Sequence, residues 1–345
     1  MRMNIIGFSS RGCALAKKIT EELTEHDCRC FGRTIGDEHG TEHVGSVDEW
    51  TATSFRECDA VIFIGAAGIA VRHIAPYLKS KTEDPAVIVI DELGRNIVPI
   101  LSGHIGGANR LSALIGERIG GNVIITTATD LNNVFAVDTF AAENNMHISN
   151  PSLIKNISAR LLEGKPVCIM SDVRIEGSIP EGLTYAHDGD AGIYITPFTH
   201  PSPFTKTLRL VPKHMNIGIG CRRGTDMETI ERCVTSVLKE NSISVHSLKA
   251  GGSIDIKSNE KGLLAFFGKH DIPVRFFSRR ELEEIRGEFT ESKYVESVVG
   301  IGNVCERSAM ALSEDARLIV KKTAIDGVTV AIASEHNVIR FGGVR

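Results

Sequence analysis

The sequence predicts an α/β protein of several domains, with parallel or mixed sheets flanked by helices and Rossmann-like units at its N- and C-terminal ends. Three observations carry this reading. Short apolar runs, such as Ala60-Val61-Ile62-Phe63-Ile64 and Val87-Ile88-Val89-Ile90, have the pattern of strands buried on both faces. Stretches with apolar residues three and four apart alternate with these runs, the signature of βαβ units. A chain of 345 residues, 42% hydrophobic and 24% charged, has the length and balance of two or three globular domains.

The elements follow in order. Asn4 to Ser9 reads as a strand, followed by a helix through Ala14, Ile19 and Leu23. The run at 60–64 ends at Gly65, and a helix carrying Ile69, Ile74 and Leu78 opens at Gly68. The run at 87–90 ends in Asp91-Glu92, and a further apolar run spans Ile97–Leu101. Leu111, Leu114, Ile115 and Ile119 keep helical period until Gly120-Gly121, before the strand Val123-Ile124-Ile125. Ligands in such sheets sit beyond the carboxyl ends of strands. The loops Gly65–Gly68, Asp91–Arg95, Ser102–Asn109 and Thr126–Asp130 are therefore expected to gather at one edge.

This N-terminal α/β domain is assigned residues 1–130. A small middle α/β domain takes 131–212. It has helix patterns through Val134, Val137 and Phe140 and through Leu153, Ile157 and Leu161, with strands at Val167–Met170 and Ile193–Ile195. Pro197, Pro201, Pro203 and Pro212 mark its end as a linker or extended crossing segment. The C-terminal α/β domain, 213–345, has strands at Asn216–Ile219, Ser244–Leu248, Val274–Phe277, Leu318–Val320 and Val328–Ile332. Its helix patterns run through Met227 to Leu238 and near Asn259–Lys269.

A net charge of −4 argues against a general nucleic-acid binder. No apolar stretch approaches a membrane span. Eight cysteines, at 13, 28, 30, 58, 168, 221, 233 and 305, are scattered without a Cys-x-x-Cys pair. They read as reduced thiols, and Cys28-x-Cys30 has no second pair to complete a zinc site. Met1 to Lys18 lacks a signal-peptide core, so a cytoplasmic protein is expected.

The most informative stretch is Ser102-Gly103-His104-Ile105-Gly106-Gly107-Ala108-Asn109. Glycines let backbone approach a ligand, and the helix that follows presents N–H groups and a partial positive charge to an anionic oxygen. His104 adds a side chain of the type that can titrate near neutral pH. Arg72 and Lys81 follow Gly68, and Arg110 closes the glycine loop. With Arg222 and Arg223, these cations suit a ligand rich in carboxylates. Thr126, Thr127 and Asp130 end a strand with hydroxyls and a carboxylate, or cap the next helix. Gly218-x-Gly220-x-x-x-Gly224 resembles a dinucleotide loop, although the next predicted strand ends in His246-Ser247-Leu248-Lys249 rather than an acid. An NADP-dependent oxidoreductase, with Lys249 reading a 2′-phosphate, is one alternative. In Gly300-Ile301-Gly302-Asn303-Val304-Cys305-Glu306, Glu306 is either a general acid–base group or a first-turn carboxylate complementing a helix dipole. Cys221 and Cys305, at helix N-termini, are candidate thiolates.

Several blocks together resemble the cobalt-precorrin-5A hydrolase family of anaerobic cobalamin biosynthesis. They are Phe63-Ile64-Gly65-Ala66-Ala67-Gly68-Ile69-Ala70-Val71-Arg72, Asp84-Pro85-Ala86-Val87, Asp91-Glu92-x-Gly94, Leu101–Asn109 and Thr126–Asp130. Gly220-Cys221-Arg222-Arg223-Gly224-Thr225 and Val304-Cys305-Glu306 resemble that family's C-terminal domain. The resemblance implies a hydrolase that opens the δ-lactone of a ring-contracted cobalt tetrapyrrole and expels acetaldehyde, giving cobalt-precorrin-5B. It also implies no cofactor, no protein metal site (the cobalt arrives in the substrate) and transient contact with the pathway's methyltransferases. Lactone hydrolysis needs an activated water, an oxyanion stabiliser and a proton donor. On this reading His104 activates water or shuttles the proton, and N–H groups around Gly106 and Gly107 stabilise the oxyanion. Glu306 or Asp91 manages the proton in the later carbon–carbon fragmentation. Substrate contacts are expected from Gly68, Arg72, Lys81, Ser102, Gly103, Gly106, Gly107, Asn109, Arg110, Thr126, Thr127, Asp130, Arg222 and Arg223. A corrinoid carrier without catalysis is the second alternative.

Overall fold

The computed structural model describes residues 1–33, 40–80, 83–103, 106–127 and 134–342. These form two compact units, 1–139 and 140–345. The boundary expected at 212 therefore falls inside the second unit, which holds two separate five-stranded sheets.

The first unit is built on seven strands: β1 (Arg2–Gly7), β2 (Asp27–Gly32), β3 (Glu42–His43), β4 (Ala60–Ile64), β5 (Ala86–Ile90), β6 (Asn96–Leu101) and β7 (Asn122–Val123). Their order is β3-β2-β1-β4-β5-β6-β7. Helices α1 (Ser10–Glu22), α2 (Val47–Glu57), α3 (Ala67–Ile74) and α4 (Ala108–Ile119) cover both faces. Alternation along the strands decides which core each residue joins. Ile62 and Ile64 pack with Ile19 of α1 and Leu111 and Ile115 of α4. Val61 and Phe63 point the other way, to Trp50 of α2 and Ile74 of α3. This two-sided burial explains why the strands read as unbroken apolar runs.

One pairing makes this sheet mixed, within the expected parallel or mixed arrangement. β1 through β5 run parallel where they pair, but β6 lies antiparallel to β5, with Ile90 opposite Ile97 and Val87 opposite Leu101. β7 then runs parallel to β6. The reversal is built by Asp91. Its Oδ1 accepts the N–H groups of Leu93 and Arg95, and its Oδ2 accepts those of Asn96 and the Asn96 side chain. A carboxylate that gathers four local donors is a turn-former.

In the second unit, β8 (Met146–Ile148), β9 (Val167–Ser171), β11 (Leu183–Tyr185), β12 (Gly189–Ile195) and β13 (Phe204–Pro212) pair in the order β11-β9-β12-β13-β8. The proline-rich segment expected as a linker is mostly β13, an internal strand. Phe204, Leu208, Leu210 and Val211 are buried, while Pro197, Pro201 and Pro203 precede the strand and Pro212 ends it. The short strand β10 (Arg174–Glu176) pairs with β19 (Val338–Arg340). The last sheet has the order β16-β15-β14-β18-β17, from β14 (Met215–Cys221), β15 (Leu248–Ile254), β16 (Val274–Phe277), β17 (Arg317–Ile325) and β18 (Val328–Ser334). The strand expected at 244–248 thus starts where it was expected to end, after a helical turn at Val245–Ser247. Helices Met227–Glu240 and Lys261–Lys269 share one core with this sheet. Helix Cys305–Met310 packs against it where the strands carry Gly218 and Gly252.

Candidate functional site

The reversal of β6 divides the four loops expected at one edge. Gly65–Gly68 and Asp91–Arg95 follow the carboxyl ends of β4 and β5. Ser102–Gly107 follows the carboxyl end of β6, which points the opposite way, and Thr126 and Thr127 follow β7, parallel to β6. Two hydrogen-bonding facts fix the placement. The Ser102 hydroxyl donates to the Asp84 carbonyl, just before β5 begins, at 2.9 Å. The Ile124 N–H donates to the Ile97 carbonyl, so the chain beyond β7 keeps to β6.

The edge that carries Ser102 therefore also holds Gly103, Gly106, Gly107, Asn109, Arg110, Thr126 and Thr127. Gly68 and Arg72, exposed on α3, come from the other edge. His104, Lys81 and Asp130 lie outside the described residues.

The loop is tightly closed. Ala108 N–H donates to the Ser102 carbonyl and Asn109 N–H to that of Gly103. Ser102 adopts φ +54°, a left-handed conformation that costs a non-glycine residue energy. A Cβ on Gly106 would lie 2.4 Å from the Ser102 Cβ, so only glycine fits there. Two N–H groups of the first turn of α4 are thus held inside the loop. Gly106 and Gly107, which precede that turn, are half-buried.

The structure gives Asp91 a different role from the one expected. The four donors around it outweigh its partial burial and hold the carboxyl below the usual carboxylate range. It shapes the β5–β6 turn, at the edge opposite Ser102.

Glu306 is likewise reassigned. It is fully buried. Its Oε1 accepts from the Thr290 hydroxyl at 2.9 Å and from Lys322 N–H at 2.6 Å. Its Oε2 accepts from Thr290 N–H at 2.7 Å and Asn303 Nδ2 at 2.8 Å. The carboxylate ties three chain segments together and has no face turned to solvent. Its sequence position, in the first turn of a helix, showed the dipole match but not the donors, which come from residues up to sixteen positions away.

The glycines of 218–224 do not form a dinucleotide loop. A Cβ on Gly218 would fall 1.8 Å from the Cys305 carbonyl, and one on Gly220 would meet the Thr329 hydroxyl. The Gly224 N–H is held by Glu260 Oε2 at 2.8 Å. Each glycine has a partner inside the chain. Burial pushes the Cys305 thiol up to about 11 and raises that of Cys221, so neither is an activated nucleophile.

Arg222 and Arg223 are exposed at the head of helix Met227–Glu240. Beside them stands a carboxylate that sequence reading missed. Glu260 accepts Gly224 N–H and, on Oε1, Lys257 Nζ at 3.1 Å. The Gly224 bond, then Lys257, hold it below the usual carboxylate range, with Arg223 adding to the effect. The Lys257–Glu260 spacing was the available signal. Among the described residues, no group of three or more His, Cys, Asp or Glu is placed to hold a metal ion. None of the described helices is long and apolar enough to cross a membrane.

Comparison with known proteins accounts for nearly the whole chain. The family described as Cobalamin synthesis G N-terminal matches residues 49–130, Cobalamin biosynthesis central region matches 135–212, and Cobalamin synthesis G C-terminus matches 215–333. A Salmonella typhimurium protein named cobalt-precorrin-5A hydrolase is 33% identical over 94% of this chain and 95% of its own. A Priestia megaterium protein of the same name is 26% identical over 95% of this chain and 94% of its own. The crystal structure of CobE, from the cobalamin biosynthetic pathway, is 30% identical, covers 36% of this chain and 92% of its own, and aligns with a TM-score of 0.34. On this sequence relationship, which runs through all three regions, the chain belongs to the cobalt-precorrin-5A hydrolase family.

Proposed function

We propose that this protein is a cobalt-precorrin-5A hydrolase: water opens the δ-lactone of the ring-contracted cobalt tetrapyrrole, acetaldehyde leaves, and cobalt-precorrin-5B is formed. The observation that carries the reading is the 33% identity over 94% of the chain to a protein of that name. The balance is one water taken up and one acetaldehyde released per substrate. The cobalt enters and leaves with the tetrapyrrole.

In this proposal the reaction takes place at the edge beyond β6 and β7. His104 activates the water, because a group titrating near neutrality is suited to general-base work. The N–H groups of Gly106 and Gly107 stabilise the tetrahedral oxyanion. Arg110, Thr126 and Thr127 meet the substrate from the same edge. The donors that enclose Glu306 and the turn bonds of Asp91 argue against either as the acid–base group of the fragmentation step, and Asp130 is kept as a substrate contact. The corrinoid-carrier reading shares these contacts but predicts no product.

The test is anaerobic incubation with cobalt-precorrin-5A, following acetaldehyde and the mass of the tetrapyrrole. Stoichiometric acetaldehyde with the matching mass change is expected. Tight binding without acetaldehyde would favour the carrier. His104→Ala is expected to lose turnover while retaining binding, and near-normal turnover would remove His104 from the mechanism.

A further inference from the structure

Asn109, in the first turn of α4, folds back onto the glycine loop. Its backbone N–H donates to the Gly103 carbonyl at 3.0 Å. Its side-chain amide fills the space that a side chain on residue 103 would need. A Cβ on Gly103 would lie 2.8 Å from the Asn109 Oδ1 and 3.2 Å from Cγ and Nδ2, its three nearest neighbours. Gly103 does not hold a positive φ, so its backbone conformation would admit alanine, and the Asn109 amide is the obstacle. We propose that Asn109 is a positioning residue for the hydrolysis: it fixes Gly103, and through it the start of the loop that follows, and does not itself bind substrate. The proposal rests on the functional reading above and deepens it by giving one residue of that edge its role.

The contacts favour positioning over substrate binding. The main chain and the side chain of Asn109 address the same residue, and Asn109 is half-buried while its neighbour Arg110 is exposed. Ser102 is fixed by its own groups, the hydroxyl on the Asp84 carbonyl and the carbonyl on Ala108 N–H. Gly103 has no side chain with which to be fixed. The Asn109 amide supplies the packing that a Cβ would have given. Gly103 directly precedes His104 in the chain, so the pair sets where the backbone departs toward the proposed base. Placement of reacting groups acts steeply on rate, with a displacement of about 1 Å costing about 100-fold.

The experiment measures kcat and KM for acetaldehyde release from cobalt-precorrin-5A by the full-length wild type, Asn109→Ala, Gly103→Ala and the double variant. Thermal unfolding gives the folded fraction of each. Asn109→Ala is expected to lower the kcat of the folded protein about 10- to 100-fold with KM little changed. Gly103→Ala displaces the amide and is expected to lose a similar amount. The double variant is expected to lose no more than either single change, because the new methyl takes the space the amide has left and both changes act through one contact. A raised KM at unchanged kcat, with losses that multiply in the double variant, would make Asn109 a substrate contact and overturn the proposal. Activity losses accounted for by the unfolded fraction, or a folded Asn109→Ala with wild-type kcat and KM, would also overturn it, and acetaldehyde release by wild type would leave the functional reading standing. No acetaldehyde from wild type would sink the functional reading, and this role with it.

Discussion

The Ser102 hydroxyl donates to the Asp84 carbonyl at 2.9 Å, and this bond joins the exit of β6 to the chain just before β5. It is only possible because β6 runs against β5. The bond also holds Ser102 in its left-handed conformation while its own carbonyl accepts Ala108 N–H. Ser102→Ala is expected to destabilise the first unit by about 1 kcal/mol, the worth of one part-buried hydrogen bond. Urea unfolding measures it. Turnover should fall further than the unfolded fraction explains, because the glycine loop loses its anchor. A variant with wild-type turnover would separate Ser102 from the site.

Gly106→Ala sets a methyl 2.4 Å from the Ser102 Cβ, and neither is the end of a flexible chain. The loop must open. The expected cost is about 1–3 kcal/mol of strain, with a large loss of turnover if the Gly106 N–H faces the oxyanion. Steady-state acetaldehyde release checks this, and a fully active Gly106→Ala would rule out the oxyanion role.

Glu306→Gln replaces one acceptor oxygen with an NH2 group among four donors. Leaving a buried donor unsatisfied costs about 1–3 kcal/mol, so the variant should unfold at lower urea. Its folded fraction should keep wild-type kcat. A kcat that collapses without a change in stability would restore Glu306 to the chemistry.

Asp91 yields a pH prediction. Partial burial raises its pKa, but the N–H groups of Arg95, Asn96 and Leu93 and the Asn96 side chain more than reverse this, so the folded value lies below the unfolded one. Its stabilisation is complete above the unfolded carboxylate pKa and is lost as pH falls through the depressed folded value. Asp91→Asn should therefore be less stable than wild type at neutral pH and converge with it in acid. Melting curves across pH would show this. A constant difference at every pH would mean that the charge is not what matters.

Cys305 is fully enclosed, and burial raises its thiol to about 11. It should resist iodoacetamide at neutral pH in the native protein, by mass spectrometry, and react only on unfolding. Rapid native labelling would contradict the burial.

Much of the fold was legible locally, because strand burial and helix period are properties of neighbouring residues. Ala60–Ile64 and Ala86–Ile90 read as strands since both faces are covered, and Met227–Glu240 reads as a helix from Met227, Ile230, Val234 and Leu238. The clustering of Ser102, Gly106 and Gly107 was equally visible, and family membership follows from sequence alone. What sequence alone left undecided depends on partners distant in the chain. Apolar periodicity does not encode strand direction, and the reversal of β6 shows only in its antiparallel pairing with β5. That reversal separates Gly68 and Arg72 from the Ser102 edge. The roles of Glu306 and Glu260 were settled by Thr290, Lys322 and Gly224, which reach them only through tertiary packing. A carboxylate has the same local pattern whether it faces solvent or is closed in by donors. Burial and hydrogen bonding, which only the folded chain supplies, decide between an acid–base group and a structural tie.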